Sequence, residues 1–588
     1  MRLLLVALLA LAAATAHGQA PPAKRAAVSW EAPTELRVLF EKHLVPPEIA
    51  EGGDARGALR PFVREVNRRV PEIAAAEGWF SPKVETRIEG EGAQAKLLVA
   101  VTPGARTTVA KVEIELRGAI AGEGIELDAR RRGIRAVWPL VEGKPFRNAD
   151  WEDAKSRTLD ALVEVDYAAA RLVESEARVD AGAATASLTI VLDSGPAFTL
   201  GELAVSGLAR YPATLVARYS DLDPGERYVR DRLLDLQRAL QNSAYFNSVV
   251  VEIDRDPAKA VRVPVEVTVV ERPAVNVGLS LGYGTDSGAR GEVSYRHRNV
   301  FHRGWDMQSA FALDRTRQIG YADFYLPPRT FGGPFGDEPA TRDSLGTLVE
   351  RTSNQNLVTR RIAFAAYRAF KVDTADYRVG LSYQFERKVP QGAAEELARA
   401  LAPVASATWR TVDNVLDPTR GGVLNVNVAA AANAFFSDQD FVKLYAQYQH
   451  WFPLSPVDQL LLRAEVGQTV AASRSGIPQD FLFRAGGTRS NRGYAYESLG
   501  AQEGEAIVGG RYLATASVEY VRWFSREWGG ALFVDVGDAA DARAELGANA
   551  SYGFGARWRT PAGPLAFDLA YAEGERKWRV SFSVSVAF

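Results

Sequence analysis

The second half of the chain alternates between apolar and polar positions with a period of two. In "VLNVNVAA", Leu424, Val426 and Val428 fall on one face, and two asparagines fall on the other. The segments "LLLRAEVGQT" (460–469) and "PLAFDLAY" (564–571) alternate in the same way, and runs rich in Pro, Gly and Asp separate them. Such alternation, bounded by turn residues, predicts antiparallel strands with one apolar face and one polar face.

A soluble sandwich would bury the apolar face, whereas a membrane barrel turns it toward lipid and keeps the polar face inside. The barrel is favoured because the alternating stretch is long, from residue 274 to 588, and because aromatic residues flank its apolar bands, as in "YAQYQHWF" (445–452). At roughly 20 residues for each strand and turn, this stretch predicts about 16 strands, with 14 or 18 also compatible.

The first half has a different pattern, in which a helical segment, an aromatic hinge and a β-rich run occur three times. The hinges are Trp79–Phe80, Tyr167 and Tyr245–Phe246. Two of the repeats also place a glycine three residues before an aromatic, at Gly143 and Gly225. A regular repeat of this kind predicts three similar α+β units, although ordinary α+β domains with a chance similarity are the alternative.

These patterns together predict the domain organisation and the fold class. The fold class is three α+β domains followed by an all-β transmembrane antiparallel barrel of about 16 strands. The predicted segments are a signal peptide at 1–20, a linker at 21–34, units at 35–106, 107–196 and 197–272, and a barrel at 273–588. The signal is predicted from Arg2, an apolar run too short to span a bilayer and a small-residue cleavage site. An uncleaved anchor is the alternative for that segment.

Composition narrows the function classes. The chain has no cysteine, so it has no thiol chemistry and no disulfide framework, and its net charge of −2 gives no sign of nucleic-acid binding. The five histidines are scattered, and we find no serine-hydrolase or nucleotide-binding motif. The sequence therefore predicts neither an enzyme nor a cofactor or metal site.

One segment between strands stands out by its cations and its backbone freedom, "RAGGTRSNRGY" (484–494). This segment, the repeats and the terminal strand "WRVSFSVSVAF" resemble the Omp85 superfamily, and most closely its TamA branch. The resemblance implies that the α+β units are POTRA domains and that this loop folds back into the barrel. It assigns the loop motif to Arg492, Gly493 and Tyr494.

A cation inside a barrel requires fixed carboxylate partners, because an unpaired charge away from bulk water is costly. The following strands offer Glu519 in "SVEYV" and Asp535 in "FVDVG". Both acids face the lumen if Val518, Tyr520 and Phe533 face away from it. The resemblance pairs Arg492 with these two acids.

The chain departs from the family pattern at the loop tip and in the last strand. Asn491 stands where Val or Ile is usual, so we expect a weaker apolar anchor there. The last strand, 577–588, contains no glycine, so inward kinking of this strand is in doubt. The resemblance implies a seam between the first and last strands and a C-terminal targeting signal. The seam residues are Val277, Gly278, Gly282 and Phe582, and the signal residues are Val584, Val586 and Phe588.

The function implied by the resemblance is assembly or translocation of β-rich clients, such as autotransporters, through the seam in the outer membrane of a Gram-negative bacterium. Implied partners are unfolded outer-membrane proteins, outer-membrane lipid and, at the first POTRA domain, a TamB-like protein anchored in the inner membrane. The alternative is a two-partner secretion transporter that passes its client through the lumen, although 21–34 is short for the plug helix and linker of that class. A five-POTRA assembly subunit and a simple porin fit the 35–272 region less well.

Overall fold

The computed structural model describes residues 24–49, 53–284, 287–332, 341–560 and 563–584. The predicted signal peptide and two residues of the predicted C-terminal signal, Val586 and Phe588, lie outside these ranges, as does the side chain of Val584. None of the described helices is long and apolar enough to cross a membrane. The chain forms two compact units, of which the second contains the alternating strands of the C-terminal half.

The first module is a three-stranded sheet covered by two helices, with strand order β2-β5-β4. Its core contains Leu36, Phe40 and Leu59, all fully buried. Its elements are β1 (Lys24–Arg25), β2 (Ala27–Glu31), α1 (Thr34–His43), β3 (Glu48–Ile49), α2 (Ala55–Ala76), β4 (Lys83–Glu89) and β5 (Lys96–Thr102).

The predicted linker at 21–34 is wrong over the part that forms β2. Residues Ala27–Glu31 pair in parallel with β5, and the Trp30 ring lies 5.2 Å from the Phe40 ring, centroid to centroid. The reason is a short alternation in which Val28 and Trp30 pack against the module core. Two apolar positions are too few to be recognised as a strand without its partner, which lies 69 residues further along the chain.

The second module repeats the plan of the first, with sheet order β6-β8-β7 and a parallel β6–β8 pair. The predicted hinge aromatic Tyr167 is buried, and so is Trp151 on the covering helix. Arg147 donates to Glu77 at 2.8 Å, which joins this module to the first. Its elements are β6 (Thr108–Arg117), α3 (Ile125–Ala136), α4 (Asn148–Val163), β7 (Arg171–Asp180) and β8 (Thr185–Asp193).

The third module has the same order of elements, and its last strand again lies between the other two. Its segments Leu203–Asp221 and Asp235–Val251 belong to the compact unit that contains the barrel. Within that unit, the Tyr245 hydroxyl donates to the Gly304 carbonyl at 2.5 Å. Its elements are β9 (Leu200–Ser206), α5 (Ala213–Ala217), α6 (Arg230–Gln241), β10 (Phe246–Ile253) and β11 (Val263–Glu271).

The barrel is an antiparallel sheet of 16 strands in sequential order, which confirms the predicted strand number. Among the described residues, the first strand pairs only with the second and the last only with the fifteenth. The first eleven strands are β12 (Val275–Gly284), β13 (Gly288–Val300), β14 (Trp305–Leu313), β15 (Arg317–Tyr325), β16 (Arg342–Asn354), β17 (Leu357–Val372), β18 (Ala375–Pro390), β19 (Glu396–Arg410), β20 (Gly421–Ala431), β21 (Phe441–Pro453) and β22 (Asp458–Ala471). After a hairpin of β23 (Ala501–Glu503) and β24 (Ala506–Val508) come β25 (Tyr512–Trp523), β26 (Trp528–Ala540), β27 (Ala550–Thr560), β28 (Gly563–Ala572) and β29 (Lys577–Val584).

The two faces of the barrel wall differ as the alternation predicted. Large apolar side chains such as Leu279, Leu532 and Val580 are 62–79% exposed on the outer face. Gln384 and Glu386 are buried on the inner face. Because successive side chains of a strand point to opposite sides, this alternation gives an apolar exterior and a polar lumen. The near end of the barrel is where β12 begins, and the far end is where β12 ends.

Candidate functional site

The connection between β22 and β25, residues 472–511, folds into the lumen and is called the lumenal loop. It contains the segment 484–494 and extends on both sides of it, because β22 ends at Ala471 and β25 begins at Tyr512. Gly486 and Gly487 have φ angles of +105° and +92°, a region that favours glycine. The Gly487 N–H donates to the carbonyls of Asn491 and Tyr494, at 3.1 and 3.0 Å, so the glycines form a tight turn that presents Arg492.

Arg492 is buried and has an acceptor for every N–H of its guanidinium. Its Nε and Nη2 donate to the two Asp535 oxygens at 2.8 and 2.7 Å, and Nη1 donates to Glu519 at 2.5 Å. Nη1 and Nη2 also reach Asp568 at 3.4 Å and the Ser517 hydroxyl at 3.2 Å. A guanidinium has five such donors in a fixed fork, and the barrel wall uses all of them.

Asp535 is the most completely enclosed of the acids that contact this arginine. It is fully buried and accepts four hydrogen bonds: two from the Arg492 side chain, one from the Arg492 backbone N–H at 3.0 Å and one from the Ser517 hydroxyl at 2.6 Å. A carboxylate offers about four acceptor sites, so this one is saturated. The pair is therefore a desolvated, bidentate ion pair with little freedom to move.

Sequence reasoning missed a second arginine and a third acid in the same cluster. Arg557 on β27 donates to Glu519 at 2.6 and 2.9 Å and to Asp568 on β28 at 2.6 Å. With these two residues the cluster spans β25 to β28. Their position in the sequence was the signal that could have found them. Both occupy lumen-facing positions in strands with alternating apolar and polar residues, and a charged residue at such a position is costly unless it is paired.

The expectation that Phe533 faces away from the lumen is wrong. Phe533 is buried, and the centre of its ring lies 3.4 Å from the guanidinium carbon of Arg492. Residues two apart on a strand point to the same side, so Phe533 must share the face of Asp535. The outward residue of this strand is Val534, which is half-exposed. The cation therefore lies against an aromatic face as well as against carboxylates.

Asn491 is a polar anchor of the loop tip, in contrast to the weak apolar anchor expected. It is fully buried, its Nδ2 donates to the Asn549 carbonyl at 2.7 Å, and its Oδ1 accepts from the Ser551 hydroxyl at 2.6 Å. Ser551 also accepts the Gly493 N–H at 3.2 Å. The barrel wall thus supplies matched polar groups to this asparagine, and the anchor is retained with different chemistry.

Gly493 and Tyr494 fix the tip close to β27 and β28. A Cβ at Gly493 would lie 2.4 Å from the Ser551 Cβ and 3.0 Å from the Ala572 N, so no side chain fits without movement. The Tyr494 hydroxyl accepts the N–H of Gly574, in the turn between β28 and β29, at 3.2 Å. The tip therefore contacts both turns that border β27 and β28 at the far end.

The predicted seam residues lie on β12 and β29, apart from the Arg492 cluster. Val277 is 61% exposed on the outer face, and the Phe582 ring lies 4.8 Å from the Phe567 ring, centroid to centroid. Gly278 and Gly282 lie on the inner face of β12, opposite Ser294 and Arg290 of β13. One link joins the two sites, because Asp568 of the cluster is paired in register with Ser581 on β29.

Comparisons with known proteins agree with this architecture. A family model described as "Omp85 superfamily domain" matches residues 275–588, and a POTRA model described as "Surface antigen variable number repeat" matches 198–272. The outer membrane protein assembly factor BamA of Nitratidesulfovibrio vulgaris is 23% identical over 499 residues, which are 80% of this chain and 60% of that protein. BamA of Neorickettsia risticii is 26% identical over 232 residues, 38% of this chain and 29% of that protein.

The fold also matches a solved structure, that of BamA from Haemophilus ducreyi lacking POTRA domains 1–3. The TM-score is 0.67 at 14% identity, over 81% of this chain and 98% of that one. The family model covers more than half of this chain, and the third α+β module matches the POTRA model. This chain therefore belongs to the Omp85 superfamily, with its barrel in the outer membrane of a Gram-negative bacterium and its POTRA region in the periplasm.

Proposed function

We propose that this chain inserts β-rich client proteins into the outer membrane through the seam between β12 and β29. The observation that carries the proposal is the strand order, in which the first and last strands are the two ends of the 16-stranded sheet. Each of these strands has a hydrogen-bonded partner on one side only among the described residues. The two strands therefore offer edges to which a client strand can pair.

The membrane supplies the physical reason for such pairing. An unsatisfied backbone N–H or C=O in the hydrocarbon core costs several kcal/mol, so an open seam favours any strand that completes it. A client hairpin that pairs with β12 or β29 satisfies its own backbone and buries its apolar face in lipid. The free energy for insertion comes from the client, and no nucleotide is required.

We propose that β12 is the more yielding side of the seam. Its outward residues Leu279, Leu281 and Tyr283 are at least 75% exposed. Its inner face carries only Asn276, Ser280 and glycines, and is itself largely exposed. By contrast, Ser581 on β29 is buried and paired in register with Asp568. Few side-chain contacts hold β12 to the lumen, so its pairing is easier to exchange than that of β29.

We also propose that all three modules are POTRA domains and that the chain is of the TamA type. Support comes from the shared element order and from the central position of the last strand in each sheet. In the first module β2 and β4 form the sheet edges, and an exposed edge accepts a partner strand. We propose that such an edge of the first module binds a TamB-like, β-rich protein in the periplasm.

The decisive test is a disulfide lock across the seam. The chain has no native cysteine, so introduced pairs are its only thiols. Cysteine pairs between Val275–Gly284 and Val580–Phe582 are screened for crosslinking in cells, and assembly of an autotransporter client is followed with the lock oxidised and reduced. A matched control places cysteines at Val293 and Phe311, which face each other within the continuous sheet.

Locking the seam is expected to stop client assembly, reduction is expected to restore it, and the control pair is expected to have no effect. If the locked barrel still assembles its client, the seam is not the route. Passage of an unfolded client through the lumen, as in two-partner secretion, would then be the better explanation.

A further inference from the structure

The N-terminal part of the lumenal loop, residues 472–483, is called the stem, and it has a second anchor on a different part of the barrel wall. Asp480, in the short helical turn Gln479–Phe481, contacts Arg361 on β17 at 3.0 Å and accepts from Gln384 on β18 at 3.0 Å. The Asp480 carbonyl accepts from Lys443 on β21 at 2.7 Å. We call these contacts the stem anchor, and the contacts of Arg492 with Asp535 and Glu519 the tip anchor.

The two anchors have opposite polarity and share no residue. At the tip the loop supplies a cation to carboxylates of β25 and β26. At the stem the loop supplies a carboxylate to the Arg361 cation of β17 and a backbone carbonyl to Lys443 of β21, and the Gln479 N–H donates to Glu386 on β18 at 2.9 Å. Because their partners lie on different strands, loss of one anchor leaves every contact of the other in place.

The stem also packs against a part of the lumen wall that is lined by small residues. Ile477, Phe481 and Leu482 form a buried apolar cluster with the alanines of β19 and β20, including Ala400 and Ala402. Alanines at these positions allow the backbone of the loop to approach the wall closely. An apolar cluster within a polar lumen excludes water. The stem therefore packs directly against the barrel wall at the far end, and water does not enter the contact between them.

The tip is a separate excursion that is closed at its base. The N–H and C=O groups of Ala485 and Leu499 bond to each other at 2.8 and 2.9 Å, and those of Phe483 and Gly510 do so at 2.8 Å in both directions. These two pairs form a neck between stem and tip. Residues 487–494 can therefore move while the neck stays in place, whereas Tyr496 is held by Asn354 and Gln355 at the turn between β16 and β17, which donate to its carbonyl at 3.0 Å.

The β23–β24 hairpin, which lies between the two pairs of the neck in the chain, adds a third set of contacts. Glu503 is paired with Lys388 on β18 at 3.0 Å and with Arg474 in the stem at 3.2 Å. Ala501, Ala506 and Val508 pack with Leu357 at the far end of β17. Stem and hairpin thus cover the wall from β17 to β21, and none of these contacts involves Arg492.

We infer that the stem anchor at Asp480, and not the tip anchor at Arg492, keeps the far end of the lumen closed to ions. Release of the tip would free the wall next to the seam while the barrel stays sealed toward the outside. With these separate roles of the two anchors, β25 to β28 can rearrange without making the barrel permeable to ions. The inference concerns permeability alone and is independent of the client.

The test measures ion conductance of the purified full-length protein in planar lipid bilayers without client. The stem variants are Asp480→Asn and Arg361→Gln, and the tip variant is Arg492→Gln. The matched control is Asp438→Asn, because Asp438 pairs with Arg399 at 2.8 Å in the loop between β20 and β21, also at the far end. Heat-dependent migration on gels verifies that each variant contains a folded barrel.

We expect the stem variants to raise mean conductance at least tenfold, and the tip variant and control to stay within twofold of the unmodified protein. A second tip variant, in which a short glycine linker replaces residues 487–494, is expected to stay closed as well, because its neck and the contacts of Tyr496 are intact. The inference is overturned if folded Asp480→Asn protein conducts no more than the control. It is equally overturned if Arg492→Gln or the shortened tip opens the barrel as much as the stem variants do.

Discussion

Replacing Arg492 by glutamine tests the tip anchor most directly, because the replacement removes the main charged partner of only one acid, Asp535. Glu519 retains Arg557 at 2.6 Å, and Asp568 retains the same arginine at 2.6 Å. Asp535 would keep hydrogen bonds only from the Ser517 hydroxyl and a backbone N–H, together with the longer-range attraction of Arg463 on β22. Removing one partner of a buried ion pair typically costs about 3–5 kcal/mol, and we expect a loss of unfolding free energy in this range.

A double-mutant cycle assigns this cost to its partner. We expect Arg492→Gln and Asp535→Asn to be coupled by about 2–3 kcal/mol, because the second change removes the stranded charge. The coupling of Arg492→Gln with Asp568→Asn should be below about 1 kcal/mol, since Asp568 lies 3.4 Å from Arg492 and has the closer Arg557.

Urea unfolding in lipid vesicles, followed by tryptophan fluorescence, measures each free energy of unfolding. Arg492→Lys serves as a charge-preserving control that loses the bidentate geometry, and it should fall between the native protein and Arg492→Gln. Equal coupling to Asp535 and Asp568, or coupling to Asp535 below about 0.5 kcal/mol, would refute the assignment.

Three further predictions concern the loop tip and the third module. Asn491→Val should cost about 1–3 kcal/mol in the same assay because it leaves the Ser551 O–H without its acceptor, and adding Ser551→Ala should recover part of that loss; an unchanged stability would contradict the polar anchor. Gly493→Ala should cost about 1–3 kcal/mol through its 2.4 Å approach to Ser551, whereas the same change at Gly282, where a Cβ meets nothing within 4 Å, should cost less. In the third module, burial raises the pKa of Glu271, but hydrogen bonds from the Arg210, Ala209 and Tyr211 amides outweigh it and hold that pKa below its ordinary value. The hydrogen bonds from these three amides to Glu271 should therefore be complete above about pH 4.3. They should be lost as the pH falls through the lowered pKa of Glu271. Hydrogen exchange of the Ala209 amide, corrected for its intrinsic rate, should accelerate only in that acidic range, and Glu271→Gln should remove the pH dependence.

The sequence by itself determined the architecture of the alternating half. A period of two fixes which side chains share a face, so Glu519 and Asp535 were predicted to face the lumen on a stated condition, and their pairing with Arg492 came from the resemblance to the Omp85 superfamily. The same rule places Phe533 beside Asp535, and the wrong prediction for Phe533 came from not applying it. The helix–aromatic–strand repeat predicted three similar units, because the same order of elements occurs three times in the sequence.

Only the tertiary structure decided which distant residues meet. Arg492 reaches Asp568 across 76 positions, and Asp480 contacts Arg361 on a strand more than 100 residues earlier. Strand β2 was not predicted from the sequence, because it is stabilised by hydrogen bonds to its distant partner β5 and by packing against the module core. Local pattern fixes the face of a side chain, whereas its partner depends on barrel register and on the path of the lumenal loop. Both are set by packing between segments that are far apart in the chain.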